Sequence, residues 1–368
     1  MKNISVMLKP ASGLCNMRCG YCFYADVQSL RETPSYGIMS AETAHGIADN
    51  VLSGLRRGGS AVFAFQGGEP MLAGNEFFRD FFSYTMKKAA ENGRGIAVEF
   101  ALQTNGSLID REFCAILQSC PVLVGLSLDG GKELHDEYRR DAEGKGTFSR
   151  VMRAKSLLEE YKIEYNVLTV LTNRAARHPQ KLWNFIVRER IGYVQFIPCL
   201  DELRADKPSP YALSPRRFYS FYSALFPLWE RRLRQGEYIS IKLFDDLANY
   251  YIKGVPTACG IDGRCNVQLV CEADGSVFPC DFYMLDRFKM GNLAREEIES
   301  LVEKSRPFLS CGKDYLSQPP CSGCRYQSSC GGGCKRMQSS MYIEDGICWY
   351  ARLLDEILGP LLRAVRGN

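Results

Sequence analysis

The sequence predicts an α/β fold: a partial (β/α)6 TIM-like barrel followed by a cysteine-rich C-terminal extension. Apolar strand-like runs alternate with amphipathic helical patterns from residue 1 to about residue 200. This alternation indicates parallel strands joined by helical crossovers. Six such units are too few to close an eight-unit barrel. Three of the sixteen cysteines lie together near the N terminus and most of the others between Cys259 and Cys348, and such clustering indicates metal binding.

The barrel elements are predicted from the periodicity of their apolar residues. The six predicted strands cover residues 4–8, 61–65, 97–103, 122–127, 165–171 and 193–197. The helical patterns between them cover residues 41–55, 75–92, 110–118, 147–161 and 179–190. Because the carboxyl ends of parallel strands meet at one face, we expect the loops at that face to hold the chemistry.

The chain after the sixth strand is predicted to begin with a polar, proline-containing linker over residues 201–210, followed by helices over 214–234 and 242–253. The first of these helices has an aromatic stripe, which is typical of a core face. The predicted domains are the barrel at 1–205, a helical connector at 206–255, a cysteine-rich domain at 256–350 and a C-terminal helix at 351–368.

Composition limits the classes of partner. The 368 residues are 46% hydrophobic and 24% charged, with a net charge of +4, as in a globular protein. No dense run of Lys and Arg occurs, so a nucleic-acid partner is not expected. The sequence has neither a secretion-type apolar leader nor a run of about twenty apolar residues. We therefore expect a cytoplasmic protein without a membrane partner.

The N-terminal motif reads Cys15-Asn-Met-Arg-Cys19-Gly-Tyr-Cys22, three thiols spaced C-x3-C-x2-C directly after the first strand. A [4Fe–4S] cluster normally takes four thiolates, so a local set of three leaves one iron open to an outside ligand. Tyr21 and the aromatic residues after Cys22 would line that opening. The alternative is a partial zinc site, which needs a fourth thiol or a His, and no His precedes residue 45.

Polar turns follow the second, third and fourth predicted strands. The first reads Gln66-Gly-Gly-Glu-Pro, in which the glycines allow close approach of a ligand and Glu69 could add charge toward an ammonium group. The fourth strand ends at Ser127, and Arg139 follows in the next loop. These two side chains could bind a carboxylate, although each turn taken alone is equally compatible with a structural role.

The cysteine-rich tail contains two further thiol patterns. From Cys321 the spacing is C-x2-C-x5-C-x3-C, and from Cys265 it is C-x9-G-x4-C. Together with Cys259 and Cys348 these make eight thiols. Eight suffice for two fully ligated [4Fe–4S] clusters, which would carry electrons because no iron is left open. Two structural zinc sites of four cysteines each are the alternative.

Taken together, these motifs resemble radical S-adenosylmethionine (SAM) enzymes with a C-terminal SPASM domain that binds two auxiliary clusters. The segments Gln66-Gly-Gly-Glu-Pro, Leu102-Gln-Thr-Asn-Gly, Gly125-Leu-Ser-Leu-Asp-Gly and Pro279-Cys-Asp-Phe-Tyr narrow the resemblance to the anaerobic sulfatase-maturating enzymes. It extends from about residue 5 to residue 350. It implies three [4Fe–4S] clusters and SAM as cofactors.

The resemblance also implies roles for individual residues. Cys15, Cys19 and Cys22 would hold the SAM cluster, and SAM would contact Tyr21, Gly68, Ser127, Arg139 and Leu200. The first auxiliary cluster would be ligated by Cys259, Cys265, Cys280 and Cys334, and the second by Cys321, Cys324, Cys330 and Cys348. Five cysteines remain outside this scheme: Cys114, Cys120, Cys199, Cys271 and Cys311. Cys271 lies between two of the ligands, so an exchange of ligand stays open.

The implied reaction is the oxidation of a Cys or Ser side chain of a sulfatase to Cα-formylglycine. Reductive cleavage of SAM would give a radical that removes a hydrogen atom from the substrate β-carbon, and the auxiliary clusters would take up the electron released next. Asp281, adjacent to the ligand Cys280, is the candidate acceptor for the thiol or hydroxyl proton. The implied partners are a sulfatase polypeptide with a Cys/Ser-x-Pro-x-Arg motif and a reduced donor similar to flavodoxin or ferredoxin.

Two other functions are compatible with the same residues. A SPASM enzyme that forms thioether or carbon–carbon cross-links in ribosomally made peptides would use the same clusters with a different peptide pocket. A zinc-binding interaction protein without catalysis would use the tail cysteines alone. The first alternative differs in its product, and the second differs in its metal.

Overall fold

The structure is a computed structural model that describes residues 1–205, 207–310 and 314–367. Cys311, one of the cysteines without a predicted role, lies outside the described residues. The described chain divides by its internal contacts into two compact units. Unit 1 comprises Met1–Ser127, Asp136–Tyr165 and Val267–Leu309, and unit 2 comprises Leu128–His135, Asn166–Asn266 and the described residues from Ser310 onward.

The six predicted barrel strands are present, each with ends within one residue of the prediction. The strands are β1 Asn3–Leu8, β2 Ser60–Phe65, β3 Ala97–Thr104, β4 Val122–Ser127, β5 Tyr165–Leu171, β6 Tyr193–Pro198, β7 Ser240–Ile241, β8 Leu269–Cys271, β9 Ser276–Phe278, β10 Gly291–Asn292, β11 Ile343–Glu344 and β12 Ile347–Cys348. In β2, the first, third and fifth positions of the strand are partly exposed and the other three are buried. This is the alternation that its sequence predicts.

The predicted helices are also present, and the described chain has five further short helices that the periodicity did not reveal. The helices are α1 Phe23–Ser29, α2 Ala41–Ser53, α3 Asn75–Glu91, α4 Arg111–Leu117, α5 Lys132–Tyr138, α6 Phe148–Glu160, α7 Pro179–Arg188, α8 Pro215–Arg234, α9 Lys242–Lys253, α10 Ile298–Glu303, α11 Arg306–Ser310, α12 Gln327–Cys330 and α13 Trp349–Arg366. The unpredicted helices are α1, α5, α10, α11 and α12. They have four to seven residues each, too few for a clear helical period.

Unit 1 is built on a sheet with the strand order β10-β9-β8-β1-β2-β3-β4. The pairs β1–β2, β2–β3 and β3–β4 are parallel, as the alternating pattern predicts. On the other side of β1, the tail strand β8 pairs with it in parallel, and β9 and β10 continue antiparallel. The β8–β9 hairpin that precedes Cys280 therefore extends the parallel sheet beyond β1.

An aromatic cluster fills the space between the sheet and α3 in unit 1. Phe63 and Phe65 of β2 are fully buried and meet Phe81 of α3 edge to face, each with a centroid distance of 5.3 Å. Edge-to-face packing suits the ring quadrupoles. This rigid core fixes β2, whose carboxyl end leads into the Gln66–Pro70 turn.

Unit 2 contains the parallel strands β5, β6 and β7 and the helices α7, α8, α9 and α13. Helix α8 begins after Ser214, whose hydroxyl accepts a hydrogen bond from the backbone N–H of Arg217, a stabilising N-cap. Its predicted aromatic stripe is buried: Trp229 and Phe244 of α9 pack at 5.1 Å between ring centroids. Among the described helices, no helix is long and apolar enough to cross a membrane.

Candidate active site

The loop after β1 carries the three N-terminal thiols. Cys15, Cys19 and Cys22 are all half-buried. The backbone N–H of Met17 points at the Cys15 sulfur from 3.4 Å, and Cys22 occupies the N-cap position of α1. Burial raises the pKa of the Cys15 thiol, and the nearby charges of Glu69 and Cys22 raise it further. Thiols held on one tight loop, with an N–H aimed at sulfur, fit the three-thiolate ligation of a [4Fe–4S] cluster.

Two of the predicted SAM contacts lie together. The Arg139 guanidinium lies over the ring of Tyr21, 5.6 Å from its centroid, and both residues are buried. Ser127, at the end of β4, is buried and accepts a hydrogen bond of 3.0 Å from the Gln103 side-chain amide. Leu200 is buried in unit 2. The roles of these residues toward SAM stay predictions.

The Gly-Gly-Glu-Pro turn packs directly against the cysteine loop. A Cβ atom at Gly68 would collide with the backbone oxygen of Leu14, and the Glu69 N–H donates to that same oxygen at 2.8 Å. Only glycine therefore allows this approach of two backbones. In the structure, the close approach at Gly68 is to the backbone of the loop that carries Cys15.

Glu69 is fully buried, and both of its carboxylate oxygens have protein partners. One oxygen accepts hydrogen bonds from Thr104 Oγ1 at 2.7 Å and from the Met71 N–H at 3.1 Å. The other accepts from the Asn105 N–H at 2.8 Å. Burial raises the pKa of Glu69 to about 6, and these hydrogen bonds oppose the shift. Glu69 thus joins the end of β3 to the turn after β2.

Asp281 is buried in unit 1, with an ion pair at Oδ1 and a hydrogen bond at Oδ2. Oδ1 has no hydrogen-bond partner among the described residues. Lys9, directly after β1, places its ammonium group 2.9 Å from Oδ1. The Tyr24 hydroxyl donates to Oδ2 at 2.7 Å, and the Gln66 amide donates to the same hydroxyl at 2.6 Å. Burial, with the charge of Asp281, raises the pKa of Tyr24 well above its usual value. Tyr24 therefore stays protonated and acts as a donor.

Sequence reasoning named Asp281 but missed Lys9 as its partner. The signal was present: Lys9 is a single cation that directly follows the apolar run of β1, at the strand end where the chemistry was expected. Buried charges are normally paired, so its position required a carboxylate. The sequence could not identify which of the many acidic residues that was.

The second predicted auxiliary set is brought together in unit 2. Cys321, Cys324, Cys330 and Cys348 line one small pocket, which the rings of Tyr326, Tyr342 and Tyr350 also border. Burial raises the pKa of Cys330 to about 12, and the adjacent Cys348 thiol contributes. Four converging thiols fit a metal centre, because metal binding supplies the positive charge that thiolates need.

The first predicted auxiliary set is divided by the boundary between the units. Cys259, Cys265 and Cys334 belong to unit 2 and Cys280 to unit 1. Burial raises the pKa of Cys334, and the nearby Cys265 thiol raises it further. A Cβ atom at Gly260 would lie 3.0 Å from the Cys334 side chain, which places the segment after Cys259 beside Cys334.

Within the described residues, no group of three or more His, Cys, Asp and Glu side chains is arranged to hold a single metal ion. A [4Fe–4S] cluster requires a wider arrangement, because each thiolate binds a different iron. The individual cluster ligands accordingly stay predictions.

Comparison with known proteins identifies the family. Residues 10–182 match the radical SAM superfamily, and residues 263–325 match the iron–sulfur cluster-binding SPASM domain. A cysteine-type anaerobic sulfatase-maturating enzyme of Clostridium perfringens is 39% identical over 92% of this chain and 91% of its own length. The chain belongs to the anaerobic sulfatase-maturating enzymes. The corresponding enzyme of Clostridium novyi is 38% identical over 91% of this chain and 89% of its own length.

A serine-type anaerobic sulfatase-maturating enzyme of Bacteroides thetaiotaomicron is more distant, at 27% identity over 92% of this chain and 84% of its own length. Among solved structures, native anSMEcpe with bound AdoMet and Kp18Cys peptide matches with a TM-score of 0.89, at 36% identity over the whole of both chains. Streptococcus suis SuiB matches at 16% identity with a TM-score of 0.61 over 94% of this chain and 76% of that chain, which is a likeness of fold.

These findings confirm several expectations from the sequence. The fold is a radical SAM α/β domain with a SPASM domain, and the protein is a radical SAM oxidoreductase. Its cofactors are SAM and [4Fe–4S] clusters. The match of the tail to an iron–sulfur domain favours clusters over the zinc alternative. The predicted domain boundaries are not tested by these findings.

Proposed function

We propose that this enzyme oxidises a cysteine side chain of a sulfatase polypeptide to Cα-formylglycine under anaerobic conditions. The observation that carries the proposal is the setting of Asp281. Its carboxylate is bonded to Tyr24, two residues after the predicted cluster ligand Cys22, and it directly follows the predicted auxiliary ligand Cys280. A single buried carboxylate is thus linked to the loop where hydrogen abstraction begins and to the segment where electron removal is expected.

When bound, SAM on its cluster supplies the hydrogen-abstracting radical and the auxiliary clusters accept the electron. The protein itself must accept a proton. Removal of a hydrogen atom, a proton and an electron converts the substrate CH2–SH group to a thioaldehyde, which water hydrolyses to the aldehyde and hydrogen sulfide. We assign the proton to Asp281, whose Oδ2 receives the Tyr24 hydrogen bond while Lys9 pairs with Oδ1.

Lys9 and Tyr24 position this carboxylate. An isolated buried carboxylate is strongly disfavoured, and the Lys9 ammonium group at 2.9 Å compensates its charge. Tyr24 and Gln66 hold the other oxygen in one orientation. A general base fixed in this way needs no reorganisation before it accepts a proton.

The choice of cysteine over serine rests on relatedness. The cysteine-type relatives are 38% and 39% identical to this chain and the serine-type relative is 27% identical. We further propose that the substrate carries a Cys-x-Pro-x-Arg motif and that a reduced flavodoxin- or ferredoxin-like protein donates the electron. The fifteen described cysteines are all free of disulfides, which suits the reducing cytoplasm that we propose as its location.

The test is an anaerobic assay with the reconstituted enzyme, a chemical reductant, SAM and paired peptides that contain Cys-x-Pro-x-Arg or Ser-x-Pro-x-Arg. We expect the aldehyde, detected by mass spectrometry and by hydrazide capture, with the Cys peptide turned over faster. A product that has lost two hydrogens and resists hydrazide capture would instead identify a peptide cross-linking enzyme. Cleavage of SAM without any peptide product would refute the proposal.

A further inference from the structure

The side chain of Asn105, one residue beyond the end of β3, contacts the predicted cluster ligand Cys15. Its amide nitrogen Nδ2 lies 3.9 Å from the Cys15 sulfur and 2.9 Å from Asn16 Oδ1. Asn105 is 8% exposed, so water does not compete freely for these contacts. An amide nitrogen carries two N–H groups, and these two contacts use both.

The orientation of the Asn105 side-chain amide follows from the backbone N–H of Ser107, which can donate a hydrogen bond but cannot accept one. The backbone N–H of Ser107 donates to Asn105 Oδ1 at 2.9 Å, and the Ser107 hydroxyl donates to the same oxygen at 2.6 Å. Because a backbone N–H cannot accept, the oxygen must face Ser107. The nitrogen therefore faces the Cys15 sulfur.

The backbone of Asn105 is held as firmly as its side chain. Its N–H donates to the buried Glu69 carboxylate at 2.8 Å, and the preceding Thr104 hydroxyl donates to the same group at 2.7 Å. Glu69 also bonds through its own N–H to the backbone of Leu14, the neighbour of Cys15. The donor and the thiol are thus fixed on two segments that Glu69 joins.

We propose that Asn105 sets the reduction potential of the SAM cluster by donating an N–H···S hydrogen bond to Cys15. A hydrogen bond to a ligand sulfur stabilises the more negative, reduced cluster and so makes its potential less negative. The backbone N–H of Met17 makes a similar contact, at 3.4 Å, but it is independent of any side chain. Asn105 is therefore a side-chain position at which the potential can be altered. It acts as a positioning and tuning residue, with Cys15 as the ligand through which it acts.

The test is EPR-monitored redox titration of the SAM cluster in the full-length, reconstituted enzyme, with the auxiliary ligands intact and without substrate. Asn105→Ala removes the donor, and Asn105→Asp keeps the shape but replaces the donor with an acceptor. Both variants should have a more negative midpoint potential than the wild type, with the larger shift for Asn105→Asp. Ser107→Ala is the matched control. It removes the hydroxyl that donates to Asn105 Oδ1 and accepts from Asn16 Nδ2 at 2.9 Å, but its backbone N–H still orients Asn105, so its potential should equal that of the wild type.

Iron and sulfide content must be determined for each variant. A wild-type potential in whichever Asn105 variant incorporates the cluster would overturn the proposal. Failure of both Asn105 variants to incorporate the cluster, while Ser107→Ala incorporates it, would also overturn it, because Asn105 would then be needed for assembly and not for tuning. Neither outcome depends on the peptide substrate, so the proposed function is tested separately.

Discussion

At the scale of single residues, Asp281 shows how burial restricts what a carboxylate can do. It is 5% exposed, and its oxygens face a lysine, a tyrosine and a glutamine amide. Lys9 pairs with Oδ1 through its charge, and Tyr24 and Gln66 donate hydrogen bonds to Oδ2. That arrangement suits a group that takes a proton from the substrate.

Replacement of Asp281 by Asn should separate SAM cleavage from product formation. The amide cannot accept the thiol proton, so formylglycine should fall by about 100-fold while SAM cleavage continues, in line with the usual contribution of a general base. Chromatography of 5′-deoxyadenosine and mass spectrometry of the peptide measure the two quantities. Asp286→Asn is the control, because Asp286 lies in the same segment but binds the Glu32 N–H. Undiminished formylglycine from Asp281→Asn would remove this residue from the mechanism.

Gly68→Ala should impair assembly of the SAM cluster. Its Cβ would collide with the backbone of Leu14, so the loop that carries Cys15 must shift. Iron and acid-labile sulfide should fall by about four atoms each per chain, the content of one [4Fe–4S] cluster. Gly192→Ala is the control, since a Cβ there meets nothing within 4 Å. Full cluster content in Gly68→Ala would show that the loop adapts.

At the scale of elements, a buried ion pair joins the segment after α1 to the end of β8. Arg31 and Glu272 are each 1% exposed in their side chains and meet at 2.6 Å. Arg31 Nε and Nη2 and Glu272 Oε2 have no hydrogen-bond partner. A pair left partly unsatisfied contributes little net stability. The Arg31–Glu272 ion pair instead fixes the position of the hairpin that leads to Cys280 and Asp281.

We therefore expect Arg31→Met to destabilise the protein by about 3–5 kcal/mol, because it leaves the Glu272 charge buried without a partner. The double variant Arg31→Met/Glu272→Leu should recover most of that loss, because no charge is then buried. Anaerobic urea unfolding followed by circular dichroism measures both. Equal loss in the single and double variants would mean that the segment depends on the ion pair itself.

The elements also show what the sequence could and could not predict. Strands such as β2 were predictable because their apolar residues alternate within one segment. The β8–β9 hairpin was predictable from its Asp-Gly turn. The parallel pairing of β8 with β1 was not, because it joins residues more than 260 positions apart and no local pattern specifies the register. For the same reason the Lys9–Asp281 and Arg31–Glu272 pairs appear only in the structure.

At the scale of the whole molecule, thiol clustering was the strongest signal in the sequence. It predicted metal centres without any knowledge of the fold, because cysteines with only packing roles would be scattered. The structure adds that Cys280 belongs to the same compact unit as Cys15, Cys19 and Cys22, whereas the other seven predicted tail ligands belong to unit 2. The thiol spacing and the family resemblance had placed Cys280 with the tail cysteines.

The three-cluster inventory makes a prediction about iron stoichiometry. The reconstituted wild type should hold about twelve irons and twelve acid-labile sulfides, four for each cluster. Replacement of Cys15, Cys19 and Cys22 together by Ala should leave about eight, and replacement of Cys321 and Cys324 should also leave about eight. Cys114→Ala should leave all twelve, because this buried thiol of α4 lies outside the ligand scheme. Elemental analysis with sulfide determination gives the counts, and Mössbauer spectroscopy identifies the cluster type.

The iron counts discriminate between the possible arrangements of ligands, because each arrangement predicts a different number of irons remaining in the variants. A tail that holds zinc would give about four irons in the wild type and none after removal of the N-terminal thiols, with zinc retained. A set in which Cys271 replaces Cys280 would keep its iron in Cys280→Ala and lose it in Cys271→Ala. Cys271 is fully buried, and burial raises its pKa well above the usual thiol value. We therefore expect the loss in Cys280→Ala, since a half-buried thiol reaches a cluster at a lower cost of desolvation.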